Sequence, residues 1–381
     1  MTATLNTTVI QNASSSTPNI TLDTAGNAAF GNMPYGTSSF LRNRIINGNM
    51  VIDQRNAGAS VTQTTSQLYT VDRWMVAGSV TTKFTAQQNA GSVTPPTGFS
   101  NYLGCTSSSA YSVLTGDYFY LRQCIEGFNF ADLAWGTANA KSVTLSFYVY
   151  SSLTGSFGAA VFNSATNRSY PFSYTVSSAN TWTFITVTIP GDTTGTWVGA
   201  TNGIGLQVNF SLGCGATYSG TANTWAGSLY LQPTSSVSVV GTSGATFYIT
   251  GVQLEQGSIA TPFERRFYGQ ELYLCQRYCQ PMFGMSSTAL IGTGNQRNYQ
   301  RFTQTMRATP SLNYSYSSSV LPGFALQDGD GNIITQSSLG LNSQVGNANG
   351  MTYVISNMSS LTSSRGYVPV NGPGALAEAE L

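Results

Sequence analysis

Histidine is absent from this 381-residue chain, and charge is scarce: 15 Lys and Arg against 14 Asp and Glu, or 8% of residues. Without imidazole there can be no Ser-His or Cys-His nucleophilic pair, no HExxH zinc site and no histidine general base. A net charge of +1 leaves no basic face for nucleic acid and no polybasic cluster for anionic lipid, so neither partner is expected. No apolar run approaches transmembrane length, so no membrane insertion is expected. The start, "MTATLNTTVI", has neither the basic region nor the apolar core of a secretory signal, which predicts cytoplasmic synthesis. Five cysteines, Cys105, Cys124, Cys214, Cys275 and Cys279, lack tight spacing and fit reduced thiols. No metal or other cofactor is expected.

What remains is neutral and aromatic. Hydrophobic residues make up 41% of the chain, with 21 Tyr, 19 Phe and 5 Trp, too many rings for a disordered Ser/Thr-rich polymer. Period-two patterns dominate residues 43–265. In "GIGLQVNFSLG", Ile204, Leu206, Val208, Phe210 and Leu212 share one face, and Gly205, Gln207, Asn209 and Ser211 the other. "SVTLSFYVY" puts Val143, Leu145, Phe147 and Val149 on one face, and "TWTFITVTIPGD" does so with Ile185, Val187 and Ile189. Such alternation predicts antiparallel strands with one apolar face. In "ATFYITGVQLEQ" the apolar parity shifts between Ile249 and Val252, which predicts a bulge at Gly251. Many short strands with turns between them predict an all-β, antiparallel jelly-roll sandwich.

Three segments flank that sandwich of residues 43–265. Residues 1–42 hold one short hairpin, "NITLDTAGNAAFGN". It either completes its core with identical copies of the chain or stays a flexible leader until it meets a partner. Residues 266–281 predict a connector helix, with Tyr268, Leu272, Cys275 and Cys279 on one face and Pro281 as its stop. Residues 282–381 return to strands ("SLNYSYS", "GNIITQS", "MTYVISN", "GYVPV") as a second, smaller β-domain. The tail "NGPGALAEAEL" is expected to fray or to form a short terminal helix. Trp182 is expected in the core.

Candidate chemistry is thin. "DGDGN" at 328–332 begins like a calcium loop, but Ile333 and Leu339 stand where Gly and Glu are needed, so a hairpin turn is expected. Asp117, Glu126 and Asp132 are the carboxylates a glycoside hydrolase would require, although acids at turns and strand ends are more often structural. Sugar binding fits the composition better, because aromatic faces stack on sugar rings while amides and hydroxyls bond their hydroxyls. Trp135, Trp197 and Trp225 sit beside glycines in turn-like surroundings, and Tyr299, Arg301, Tyr314 and Tyr316 form a tyrosine-rich group further on. These seven are the candidate glycan- or receptor-binding residues.

A colinear set of segments runs through residues 41–280: "NRIINGNMVIDQRNAGASVT", "YTVDRW", "LRQCIEGFN", "WGTANAKSVTLSFYVYSSLTGSFG", "IPGDTTGTW" and "FYITGVQLEQGSIATPFERRFYGQELYLCQRYCQ". Together they resemble a module of bacteriophage tail-fibre and other virion surface proteins. The resemblance implies a carbohydrate-binding-like jelly roll in a homotrimeric external appendage of the virion. Its N-terminal segment would attach to other virion proteins, and its distal C-terminal domain would meet host cell-surface polysaccharide. It carries no catalytic residues to transfer, so a non-enzymatic receptor-binding subunit is expected. A head fibre, a capsid decoration protein and a polysaccharide-degrading tailspike are the alternatives. Cys279 stands where related sequences often have an aromatic. Arg42, Arg44 and Arg55 are expected to bond carbonyls or acids at the junction with the N-terminal stem, with Ile45 and Ile46 entering the sandwich as its first strand.

Overall fold

The computed structural model describes residues 9–10, 20–22, 28–30, 42–282, 288–290, 296–313, 325–328, 333–335, 340–356, 367–371 and 375–381. Its body is a sandwich of two six-stranded sheets, antiparallel throughout. The strands are β1 Val61–Thr62, β2 Leu68–Tyr69, β3 Met75–Gly78, β4 Phe84–Gln88, β5 Leu103–Ser107 and β6 Tyr118–Glu126. They continue as β7 Val143–Ser151, β8 Gly155–Phe162, β9 Ser169–Val176, β10 Thr183–Ile189, β11 Ile204–Cys214 and β12 Thr246–Gln256. One sheet runs β10-β7-β12-β5-β4-β1 and the other β9-β8-β11-β6-β3-β2. The expected jelly-roll-like sandwich is therefore the fold.

The core lies where the period-two pattern places it. Leu145, Phe147 and Val149 of β7 face Leu206, Val208, Phe210 and Leu212 of β11, all fully buried. Phe210 bridges the sheets, edge-on to Phe147 at 5.0 Å and tilted against Phe247 at 6.4 Å. Each such ring contributes about 1.5–3 kcal/mol by leaving water. The bulge forms at the expected glycine: Ser146 pairs with Gln253 and Tyr148 with Thr250, so Gly251 and Val252 together oppose Phe147. Gly251 has φ +62°, and a Cβ there would lie 2.7 Å from the Phe99 ring.

The polar face of β11 is not open to water. Gln207, Asn209 and Ser211 are buried: Ser211 Oγ donates to Gln232 Oε1 at 2.7 Å and Asn209 Nδ2 to Leu231 O in the segment 216–233, while Gln207 Nε2 donates to Asn163 O.

The opening segment forms a seam rather than a strand. Asn43 bonds the end of β12 twice, donating to Val252 O and accepting from Leu254 N. A side chain at Gly48 would place Cβ 2.1 Å from Val252 O, so the chain can lie this close only as glycine. Ile45 enters the main core, whereas Ile46 joins Ile52, Cys275, Tyr278 and Leu381 in a separate cluster. Adjacent side chains thus serve two cores.

Helix α1 covers Tyr268–Gln276 and ends before Cys279. The chain instead turns into β13 Cys279–Met282, which pairs with β15 Ala375–Glu378, itself paired with β14 Ser311–Asn313. The tail is a strand, neither frayed nor helical. It carries Glu378 and Glu380 to Arg55, at 2.8 and 2.7 Å, and Glu380 also pairs with Arg73. Arg55 therefore holds the C-terminal tail. Burial drives the neighbouring Asp72 carboxyl up to about 6, against the opposing pull of Arg55 and of hydrogen bonds from Gln54.

At the N-terminus, Ile20–Leu22 pairs antiparallel with Ala28–Phe30, as the hairpin pattern predicts. Gln327 lies opposite Ile333, so the strands flanking "DGDGN" form a hairpin, although residues 329–332 lie outside the described residues.

Candidate functional site

The three sequence-predicted tryptophans come together. Trp135 lies edge-on to Trp197 at 4.9 Å and to Trp225 at 5.2 Å, and Trp197 is edge-on to Trp225 at 5.7 Å. Their N–H groups are all used internally: Trp135 Nε1 donates to Lys141 O at 2.7 Å, Trp197 Nε1 to Asp192 Oδ2 at 3.0 Å, and Trp225 Nε1 to Pro190 O at 3.0 Å. Arg168 closes the cluster through an ion pair with Asp192. Trp135, a candidate binding residue from the sequence, is only 5% exposed; Trp197 and Trp225 remain half-buried. Edge-to-face packing gives this cluster the character of a small core.

Tyr299 and Arg301 are exposed and share one face of the strand Gln296–Arg301. Tyr314 and Tyr316 lie outside the described residues.

A different set of rings lines an open cleft of about 460 Å³ on the outer face of the β10-β7-β12 sheet. Phe263, Phe99, Tyr148 and Phe184 follow one another at centroid distances of 5.2, 5.5 and 4.9 Å. The Arg265 guanidinium sits 4.7 Å from the Phe99 centroid. Thr97, Ser146 and Thr261 also line it, the Thr261 hydroxyl donating to Glu255 Oε2 at 2.7 Å. Phe184 is 49% exposed, so the end of the ring run faces solvent.

Beside this cleft, Trp182 packs on Tyr102 and Tyr150 on the same outer face. Its parity explains the departure from the expected core position: Ile185 and Ile189 point inward, so Trp182 and Phe184 point out. The sequence reading missed the cleft, yet a signal was present. Tyr148 and Tyr150 occupy the face of β7 opposite its core residues, where hydroxyl and charged residues are the norm.

The three candidate acids are engaged separately. Asp132 forms a two-pronged pair with Arg44, 2.6 Å on each side. Asp117 accepts from Ser79 Oγ, Tyr111 Oη and Leu114 N, each at 2.8 Å. Glu126 accepts from Arg277 and from Tyr278 Oη at 2.6 Å. Burial pushes each carboxyl up, but these donors outweigh it and hold all three below the ordinary carboxylate range. A general acid needs the reverse.

A pH effect follows from Glu126. Because its folded pKa is depressed, the stability it contributes is complete above its ordinary value of 4.5 and is lost as pH falls through the folded value. Urea unfolding below pH 4.5 is expected to show wild type losing stability more steeply than Glu126→Gln, whose side chain does not titrate. Parallel acid limbs would remove Glu126 from this account.

No protein-family model matches this chain, and no curated protein matches it. Several solved structures do. A CBM4 module is 15% identical with a TM-score of 0.28, over 55% of this chain and 98% of that one. A CBM61 module in complex with beta-1,4-galactotriose is 10% identical, TM-score 0.26, over 48% and 88%. A family 11 carbohydrate-binding module from Clostridium thermocellum, in complex with a beta-1,3-1,4-mixed-linked tetrasaccharide, is 12% identical, TM-score 0.26, over 54% and 100%. Likenesses this faint carry no weight for what this chain binds.

Proposed function

We propose that this chain is a non-catalytic adhesion protein that binds glycan in the cleft lined by Phe99, Tyr148, Phe184 and Phe263. The observation that carries the reading is the run of four rings along an open cleft with the Arg265 guanidinium beside it. Apolar rings receive the C–H faces of sugars, and a few placed polar groups fix their orientation. The engagement of Asp117, Glu126 and Asp132 by separate donors supports adhesion over hydrolysis. The sequence resemblance over residues 41–280 supports a finer reading: a tail-fibre or receptor-binding subunit on the outside of a virion, trimeric, attached through its N-terminal segment and directed at host surface polysaccharide.

Sedimentation of the purified protein with and without host envelope polysaccharide reads assembly and binding together. Three copies per particle and a polysaccharide-dependent shift are expected. Phe184→Ala is expected to weaken binding at least tenfold, since a well-packed aromatic contact is worth about 2 kcal/mol or more, while leaving the fold intact. A monomer that binds no polysaccharide, or binding indifferent to Phe184, would overturn the reading.

A further inference from the structure

On the opposite sheet, Tyr118, Tyr120 and Arg122 alternate along the outer face of β6. With Tyr218, Leu229 and Leu231 from the covering segment they line a pocket of about 170 Å³. Arg122 is only 7% exposed. Its guanidinium lies 3.7 Å from the Tyr120 ring centroid and 4.8 Å from that of Phe162. Nε donates to Asn209 Oδ1 and Nη1 to Gln207 Oε1, both at 3.2 Å. Those amides are turned by their own N–H groups, which donate to Leu231 O at 3.3 Å and Asn163 O at 3.1 Å.

Arg55, Arg73, Arg266 and Arg277 each have a carboxylate within 4 Å; among the described residues Arg122 has none. Its Nη2 has no hydrogen-bond partner among them either, and it is not one of the sealed polar atoms. Withdrawing a cation from water without a counter-charge is costly, and two neutral amides only partly offset it. Guanidinium is well suited to a carboxylate, and with Nε and one Nη1 proton given to the amides, Nη2 remains to receive it. The walls supply a second specification: the Tyr118 and Tyr120 rings are near-parallel, 16° apart at 5.9 Å, and Tyr218 stands edge-on to Tyr118.

We propose that this pocket is a subsite for a carboxylate-bearing sugar residue, with Arg122 holding the carboxylate and the ring seated among Tyr118, Tyr218, Leu229 and Leu231. Glycan as the source rests on the function proposed above; the anion rests on Arg122 alone. The test titrates the full-length protein with glucuronate, glucose and inorganic phosphate, read by calorimetry and by NMR of the leucine methyls. Glucuronate is expected to bind, to shift Leu229 and Leu231, and to bind at least tenfold more tightly than either glucose or phosphate. Arg122→Met should abolish that preference. Leu229→Trp, which fills the pocket and leaves the arginine in place, should block glucuronate equally and keeps the test decisive if Arg122→Met fails to fold. Glucose binding as tightly as glucuronate would refute the anion, and phosphate binding as tightly would refute the sugar ring. No glucuronate binding, or binding indifferent to Leu229→Trp, would refute the site. Phe184→Ala should leave glucuronate binding unchanged, so failure of the aromatic cleft is distinguishable from failure of this pocket.

Discussion

Glu380→Gln is expected to lower the free energy of unfolding by about 3–5 kcal/mol, the range for removing one partner of a buried ion pair. Arg73 is 1% exposed, and its only acid partner among the described residues is Glu380. The rest of its surroundings are the Cys124 carbonyl at 2.7 Å and the Tyr278 ring, whose centroid is 3.5 Å away. Neither carries a charge that could replace the lost carboxylate. Glutamine keeps the shape, so the loss would report the charge rather than a cavity. The contrast is Asp132→Asn. Asp132 is 51% exposed, and breaking its pair with Arg44 is expected to cost no more than about 1 kcal/mol because water screens it. Urea midpoints of the two variants check both values. Equal midpoints for Glu380→Gln and wild type would mean that the tail does not close on the sandwich in solution.

Trp135→Ala is expected to cost about 3–5 kcal/mol, as large-to-small changes at buried aromatics do. The indole touches Phe130, Trp197 and Trp225, with centroids 4.9–5.2 Å away. Its removal would leave a void walled by rigid rings and would strand the Lys141 carbonyl that accepts its N–H. Thermal unfolding should therefore drop, while binding by the fraction that remains folded should hold. Phe184→Ala should behave in the opposite way, losing binding and keeping stability. A Trp135→Ala protein that melted like wild type yet no longer bound glycan would return the tryptophan cluster to the binding site.

Much of this architecture is readable from local pattern. The alternation in β7, β10 and β11 named their core residues, since side chains one residue apart on a strand must point to opposite sides. The parity break in β12 located the bulge at Gly251, and the hairpin at 20–30 was legible from two short apolar runs about a turn. The start of α1 was also visible, whereas its end was not. Cys279 continues the helical spacing, but pairing with Glu378 across β13 and β15 satisfies its backbone in a different way, and no nearby residue announces that partner.

The misplaced features share one cause. Arg55 meets Glu380 across 325 positions, Ile45 and Ile46 part into separate cores, and Trp182 joins an outer-face cluster because of which strand it enters. Composition and periodicity settle the chemistry available to the chain and the faces of its strands, because both depend on residue type and on neighbours one or two positions away. Which face is then covered, which buried charge finds a counter-ion and which rings line an open cleft depend on segments that meet only when the sheets close on each other. Hydrophobic burial drives that closure, but it is non-directional and leaves no mark in the local pattern.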